Sequence, residues 1–261
     1  MFLVDRRRGR RVLSDRTFVR PDAAAGKDDP DLATSIERLG TLVLADQTVE
    51  SVLALVVDLA VGTIPAAEAA SASLWTDERE PTVLVATEGI AEADRLQYER
   101  RRGPAIEALR TSRRVSVCLD RAPEGWTHFA DAAASAGFHA LLALPLRAAD
   151  RTVGVLLLYS RSEGAFGPKE IEVAERFTRH AAATAANATT LSTARHTQRT
   201  LEESVATREL IGQAQGILMA RHNCTAQRAF AMLRRSSQRS NRKLRDVAAE
   251  VVAELERGAS E

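Results

Sequence analysis

Three stretches in the last third of the chain repeat apolar residues every three or four positions, between residues 200 and 257. This spacing places the apolar side chains of each stretch on one face of an α-helix. The connecting segments are short, so the sequence predicts a compact bundle of three helices. The three apolar series are Leu210, Ile211, Ala214, Ile217 and Leu218; Ala226, Ala229, Phe230 and Leu233; and Leu244, Val247, Ala248, Val251, Val252 and Leu255.

Two polar residues stand where the second and third helices of this bundle should begin. Thr225 and Asn241 are residue types that accept hydrogen bonds from the first amides of a helix, so we predict that both are N-caps. Arg242 and Lys243 would then lie in the first turn of the third helix, where positive charges oppose the helix dipole. Because that placement does not favour stability, we interpret the two cations as phosphate-binding groups.

Positive charge is concentrated in this region. The whole chain has 36 Lys and Arg against 35 Asp and Glu, so a nucleic-acid site has to be a local patch. Between Arg199 and Arg257 there are 11 basic and 7 acidic residues, and from Arg221 to Arg245 there are 8 basic residues and no acidic one. A solvated charged face is the simpler explanation, but an uninterrupted run of positive charge from Arg221 to Arg245 favours a polyanionic partner.

The segment resembles the ANTAR RNA-binding domain over about sixty residues. The likeness rests on Ile211-Gly-Gln-Ala-Gln-Gly-Ile-Leu-Met219, Ala229-Phe230, Leu233, Ser236-Ser237-Gln238, Asn241 and Lys243-Leu-Arg-Asp-Val-Ala248. The family usually has Ala-Lys-Gly where this chain has Ala214-Gln215-Gly216, so one positive charge is missing. The resemblance implies binding to paired RNA stem-loops that prevent formation of a terminator. It assigns RNA contacts to Gln213, Ala214, Gln215, Gly216, Met219, Arg221, Ser237, Asn241, Arg242, Lys243 and Arg245.

Three residues of this segment have two interpretations each. Gly216 lies inside a helix, where glycine costs about 1 kcal/mol relative to alanine. From the sequence alone, close packing against another helix explains it slightly better than close approach of RNA. The ANTAR resemblance implies a shared role, in which Ala214 and Gly216 form the floor of a shallow site. Met219 and Phe230 have the spacing of core residues, so we expect both to be buried. The alternative for Met219 is contact with an RNA base. Phe230 would then offer no platform for stacking on single-stranded RNA. Recognition would depend on the shape and loop bases of a hairpin.

Residues 31–190 predict an α+β domain with a largely antiparallel sheet and flanking helices. Two helical stripes begin at Leu32 and after a cap at Asp46 or Thr48, and a helical stretch at 91–112 breaks at Gly103-Pro104. Strands are predicted at 69–75, 83–86, 115–119, 140–146 and 153–159. Ala140-Leu-Leu-Ala-Leu-Pro-Leu-Arg147, then Val153-Gly-Val-Leu-Leu-Leu-Tyr159 and a helix start near Pro168, resemble the end of a GAF domain. Another sensory fold of the PAS type is the alternative.

A long helix is predicted to join the two domains, beginning at Pro168. Its apolar positions follow four-three spacing with one phase slip, which is typical of a coiled coil and favours a homodimer. Packing of this helix along its own sensory domain is the alternative. The seam consists of Phe177, Ala181, Thr184, Ala188 and Leu191, followed by Ala194, Gln198, Leu201 and Val205. Residues 191–261 thus comprise the coiled-coil continuation and the ANTAR-like helices.

The first thirty residues are predicted to be a disordered basic tail. The alternative is an auxiliary arm for RNA phosphates. Seven arginines dominate this segment: Arg6, Arg7, Arg8, Arg10, Arg11, Arg16 and Arg20. The N-terminus has no apolar stretch typical of a signal peptide, and the chain has no apolar run long enough to cross a membrane. We therefore expect a cytoplasmic protein that does not interact with membranes.

No catalytic or metal-binding motif is recognisable in the sequence. Five histidines are scattered, and two cysteines, Cys118 and Cys224, are far apart. Asp120 and Asp131 are expected to flank a solvated loop near His128. We predict that the protein is not an enzyme and holds no metal. The GAF resemblance implies a small-molecule ligand, but His128, His139 and Cys118 identify no cofactor.

These features together predict an RNA-binding antitermination regulator that a signal controls through the GAF-like domain. A DNA-binding regulator that uses the bundle as a helix-turn-helix is an alternative, although the connector after Arg221 lacks the usual turn glycine. A metabolite sensor whose C-terminal helices serve only for dimerisation is another.

Overall fold

The computed structural model describes residues 17–20, 31–75, 81, 83–87 and 89–258. The chain divides into two compact units, one ending at Ser192 and the other beginning at Thr193. The predicted long helix is present as α6 (Pro168–His222), whose 55 residues contribute to both units. Among the described residues, none of the helices is long and apolar enough to cross a membrane.

The first unit is built on a six-stranded sheet with the order β1-β3-β2-β6-β5-β4. Its strands are β1 (Thr17–Arg20), β2 (Ala69–Leu74), β3 (Val83–Thr87), β4 (Val115–Cys118), β5 (Ala140–Ala148) and β6 (Arg151–Ser160). All neighbours are antiparallel except β1 and β3, so the predicted antiparallel α+β sheet is confirmed. Strand β1 corrects the expectation of a tail without regular structure. The rest of that basic tail lies outside the described residues.

Among the described residues, five α-helices precede α6: α1 (Leu32–Gly40), α2 (Val49–Thr63), α3 (Ala91–Arg100), α4 (Pro104–Thr111) and α5 (Thr127–Ser135). Thr48, and not Asp46, caps α2, because its hydroxyl accepts the Ser51 amide at 3.1 Å. The predicted break between α3 and α4 occurs at Gly103, whose φ of 148° is one that other residues rarely adopt. Helix α5 was not predicted, and it places His128 and Asp131 on a helix instead of in a loop.

Both faces of the sheet are buried, which explains why β5 and β6 read as continuous apolar runs. Leu142 and Leu144 on one face pack with α2 and the start of α6, whereas Leu141 and Ala143 face α3, α4 and α5. Gly154 allows β6 to lie close to β2, since a Cβ atom there would be 2.1 Å from the Ser73 carbonyl oxygen.

The first turns of α6 belong to this core. Phe177 and Ala181 are fully buried against the sheet unit. The Thr184 hydroxyl donates to the Leu39 carbonyl at 3.4 Å. The prediction that these three residues form a dimer seam is therefore wrong, and packing along the helix's own domain is the correct alternative for them.

The second unit is a bundle of the end of α6 with α7 (Ala226–Ser240) and α8 (Leu244–Gly258). The predicted apolar faces meet in a core of Ala214, Leu218, Ala229, Leu233, Val247 and Ala248. Thr225 caps α7 as predicted, because its hydroxyl accepts the Arg228 amide. The reversal between α6 and α7 uses Asn223 in the left-handed conformation, with φ of 44°.

Candidate nucleic-acid interface

The α6 segment that resembles the ANTAR motif presents some predicted contact residues and buries one. Ala214 is completely buried in the bundle core, so its assignment to RNA contact is corrected: it packs the helices together. Gln213 and Gly216 are exposed on the same helix.

Gly216 lies against open space. A Cβ atom added there would meet nothing within 4 Å, and the same holds for Gly212, one turn earlier. The preference for helix packing as the reason for this glycine is therefore wrong.

Gln215, which replaces the usual lysine, links two helices. Its side-chain amide donates to the Ala226 carbonyl at 2.7 Å, so it ties α6 to the first residue of α7. The side chain is half-buried, and it supports the bundle in addition to any contact it makes outside.

Two apolar side chains that we predicted to be buried are exposed. Met219 is 36% exposed and Phe230 is 40% exposed. On α7 the buried pair is Ala229 and Leu233, four residues apart, and Phe230 lies about 100° around the helix from Ala229. Phe230 is also four residues after Ala226 and three before Leu233, so helical spacing alone did not reveal that its ring is exposed.

The turn between α7 and α8 differs from the predicted capping. Asn241 has φ of 51° and ends α7, because its amide donates to the Ser237 carbonyl. It is a C-cap and not the N-cap of α8. The Ser237 hydroxyl donates to the Arg242 carbonyl at 2.6 Å, so Ser237 stabilises this turn.

Helix α8 begins at Leu244, after Arg242 and Lys243. The two cations therefore lie in the turn before the helix and not, as predicted, in its first turn. The Arg242 guanidinium is 2.6 Å from the Glu250 carboxylate.

Acidic residues of α8 also form ion pairs with two other arginines that were predicted to contact RNA. The nitrogen–oxygen distances are 3.3 Å for Arg221 with Glu254 and 3.4 Å for Arg245 with Asp246. All of these side chains are exposed, so the pairs contribute little to stability and can exchange with an external anion.

Helix α7 carries exposed arginines that have no acidic partner among the described residues. Arg228, Arg235 and Arg239 are spaced by seven and four residues, which places them along one side of the helix. We refer to these three exposed residues as the α7 arginine stripe. Within the part of the chain that the structure describes, none of them forms an ion pair. Arg228 also lines an open hollow at the α6–α7 reversal, together with His222, Asn223, Cys224, Thr225 and Met232.

The first unit contains a buried polar cluster on the α3 side of its sheet. The Asp94 Oδ1 atom accepts hydrogen bonds from Tyr159 and from the Gln97 amide, the latter at 3.0 Å. Among the described residues its Oδ2 atom has no partner. Burial raises the pKa of Asp94 from its ordinary 3.8 to about 6, although the nearby polar side chains of Ser71, Tyr159 and Gln97 lower it.

Comparison with known proteins matches both units. The GAF domain family matches residues 46–184, and the ANTAR domain family matches residues 199–252. A comparison with curated protein sequences finds no match.

Several solved structures resemble the GAF part. The GAF domain of a phosphoenolpyruvate-protein phosphotransferase from Coxiella burnetii has 18% identity and a TM-score of 0.48, covering 62% of this chain and 96% of that one. A GAF domain/HD domain protein from Geobacter sulfurreducens has 16% identity and a TM-score of 0.44, covering 58% and 98%. Free methionine-R-sulfoxide reductase from Neisseria meningitidis has 15% identity and a TM-score of 0.43, covering 62% and 91%.

The GAF match extends over more than half of the 261 residues, and the ANTAR match follows it along the chain. The chain therefore belongs to the GAF domain family and carries an ANTAR domain after its GAF domain.

Proposed function

We propose that this protein is a transcription antitermination regulator whose ANTAR unit binds paired stem-loops in nascent RNA and whose GAF domain gates that binding in response to a small molecule. The observation that carries the proposal is the α7 arginine stripe, which is exposed and unpaired among the described residues of the unit matching ANTAR. The regulator works by binding, and no catalytic step is part of the proposal.

Each exposed feature of the bundle suits one part of an RNA hairpin. The arginines supply phosphate contacts, since guanidinium groups bind phosphate oxygens in a bidentate manner. Phe230 offers a ring face on which an unpaired loop base can stack. Gly216 leaves room for a sugar-phosphate backbone near α6.

The proposed contact set is revised accordingly. Ala214 and Ser237 are removed, because one is in the core and the other holds the turn. Phe230 and the α7 arginine stripe are added. The residues kept from the sequence prediction are Gln213, Gln215, Gly216, Met219, Arg221, Asn241, Arg242, Lys243 and Arg245.

A homodimer forms part of the proposal. Leu201 and Val205 lie four residues apart on α6 and are 64% and 47% exposed, which is unfavourable for large apolar side chains in water. Pairing with a second copy of α6 would cover them. A dimer would also join two ANTAR units, so that binding to two hairpins of one transcript gains from linkage.

The stripe is tested with the double variant Arg235→Ala/Arg239→Ala. Each lost phosphate contact should reduce the slope of log affinity against log salt concentration by about one, so the double variant should lose about two. The matched control is Arg176→Ala/Arg179→Ala, which removes two exposed arginines from the GAF part of α6. If both double variants retain the slope of the original protein for a tandem-hairpin RNA, the stripe does not bind phosphates.

One observation removes an argument against the alternative of DNA binding. The missing turn glycine argued against a helix-turn-helix, but Asn223 makes that turn in the left-handed conformation without glycine. A direct comparison of RNA with DNA therefore decides between the two functions.

A further inference from the structure

We propose that the GAF domain holds one divalent transition-metal ion on Cys118, Asp120 and Glu163, with His139 positioning Asp120. The inference concerns the GAF domain alone and does not depend on whether the ANTAR unit binds RNA. It also revises the sequence prediction that no metal is held.

The pairing of strands brings these residues together. Cys118, the last residue of β4, pairs with Ala140 of β5, and Ala140 pairs with Ser160 of β6. Beyond these positions the Leu119 amide donates to the His139 carbonyl at 2.8 Å, and the His139 amide donates to the Ser160 carbonyl at 2.9 Å. The residues that follow β4, precede β5 and follow β6 therefore meet at one end of the sheet.

Three different side chains offer ligand atoms at this end. The Cys118 sulfur and one carboxylate oxygen each from Asp120 and Glu163 lie within 4.8 Å of one another. Zinc–sulfur and zinc–oxygen bonds of about 2.3 and 2.1 Å require ligand atoms about 3.5 Å apart. Asp120 and Glu163 are exposed, so small rotations of their side chains can close the remaining distance.

His139 supports the arrangement from outside. Its Nδ1 atom lies 3.3 Å from the Asp120 Oδ2 atom, within reach of a hydrogen bond that would orient the carboxylate. Outer hydrogen bonds of this kind fix the direction in which a ligand presents its lone pair.

The donor set selects the class of metal. A thiolate with two carboxylates suits Zn²⁺ or a similar first-row ion, whereas Mg²⁺ and Ca²⁺ take oxygen ligands. Three protein ligands leave a fourth position for water or a small anionic ligand. Binding requires the thiolate, so the Cys118 thiol proton is released to solvent and affinity falls as the pH is lowered.

The test uses the full chain after treatment with a chelator. Calorimetric titration with Zn²⁺ should show one ion per chain, accompanied by proton release. Cys118→Ser should abolish this binding, while Cys224→Ser, which changes the other of the two cysteines, should leave it unchanged. With Co²⁺, a sulfur-to-metal charge-transfer band should appear in the original protein and in Cys224→Ser but not in Cys118→Ser.

Thermal unfolding of Cys118→Ser without metal establishes that this variant is folded. His139→Gln should weaken Zn²⁺ binding about 10- to 100-fold without changing the stoichiometry. The proposal is overturned if the original protein binds no stoichiometric Zn²⁺, or if binding survives in Cys118→Ser.

Discussion

A single buried carboxyl group makes the GAF domain sensitive to pH. Asp94 is fully enclosed, and burial raises its pKa from 3.8 to about 6. The folded state therefore holds this proton more tightly than the unfolded state does. The stabilisation that the bound proton provides is complete below pH 3.8 and is lost as the pH rises through about 6. A difference of about two pKa units between the unfolded and folded states corresponds to about 3 kcal/mol of folding free energy.

The variant Asp94→Asn tests whether ionisation of Asp94 lowers the stability of the folded state. The amide oxygen can still accept the hydrogen bonds from Tyr159 and Gln97, but the side chain cannot ionise. We expect the unfolding temperature of the variant, relative to that of the original protein, to rise as the pH goes from 5 to 7.5. Differential scanning calorimetry across that range measures it. A difference in unfolding temperature between the variant and the original protein that does not change with pH would contradict the assignment of the raised pKa.

Residue type alone did not predict the role of Asn241. Asparagine is favoured as a helix N-cap, and it is also one of the few residues that tolerate the left-handed conformation of a C-cap. The sequence offers both roles, and only the position at which α8 packs onto the core decides between them. The same applies to Phe230, because an aromatic residue fits the edge of an apolar face as well as its centre.

Helix α7 has a buried face and a candidate binding face. Phe230→Ala should cost less than about 1 kcal/mol of folding stability because the ring is already 40% exposed. It should weaken binding to a hairpin RNA by about 1–3 kcal/mol if a base stacks on the ring. Urea unfolding and fluorescence anisotropy measure the two effects.

Leu233→Ala on the same helix is the matched control. This side chain is 1% exposed, so its truncation should destabilise the fold by about 2–5 kcal/mol. If Phe230→Ala behaves like Leu233→Ala in unfolding and leaves the affinity of the folded protein for RNA unchanged, the ring is a core residue and not a platform.

Elements with strong patterns could be predicted, whereas sites assembled from separate segments could not. The β5–β6 hairpin follows from two apolar runs around a polar turn, and α6 follows from its sustained periodicity. Helix α5 is short and rich in alanine, which leaves little contrast between its faces. Cys118, Asp120 and Glu163 have no characteristic spacing, because strand register and not local sequence brings them together.

At the scale of the whole molecule, α6 contributes residues to both units. Under the proposed function, a change in the pairing of α6 would carry the signal from the GAF domain to the RNA-binding helices. Leu201→Glu should convert a dimer to a monomer of 28.3 kDa in analytical ultracentrifugation, because it places a charge in the proposed seam. Val43→Glu is the control, since Val43 is also 64% exposed but lies in the first unit, away from the proposed seam. A protein that is already monomeric before mutation would contradict the proposed dimer.

The central claim is that the ANTAR unit recognises folded RNA. Its most direct test is the affinity of the full chain for a tandem-hairpin RNA and for a DNA duplex of equal charge, measured at one salt concentration. The account predicts that the RNA binds at least tenfold more tightly, since loop bases and hairpin shape add to the phosphate contacts that both ligands share. Equal affinities, or tighter binding of the duplex, would contradict it.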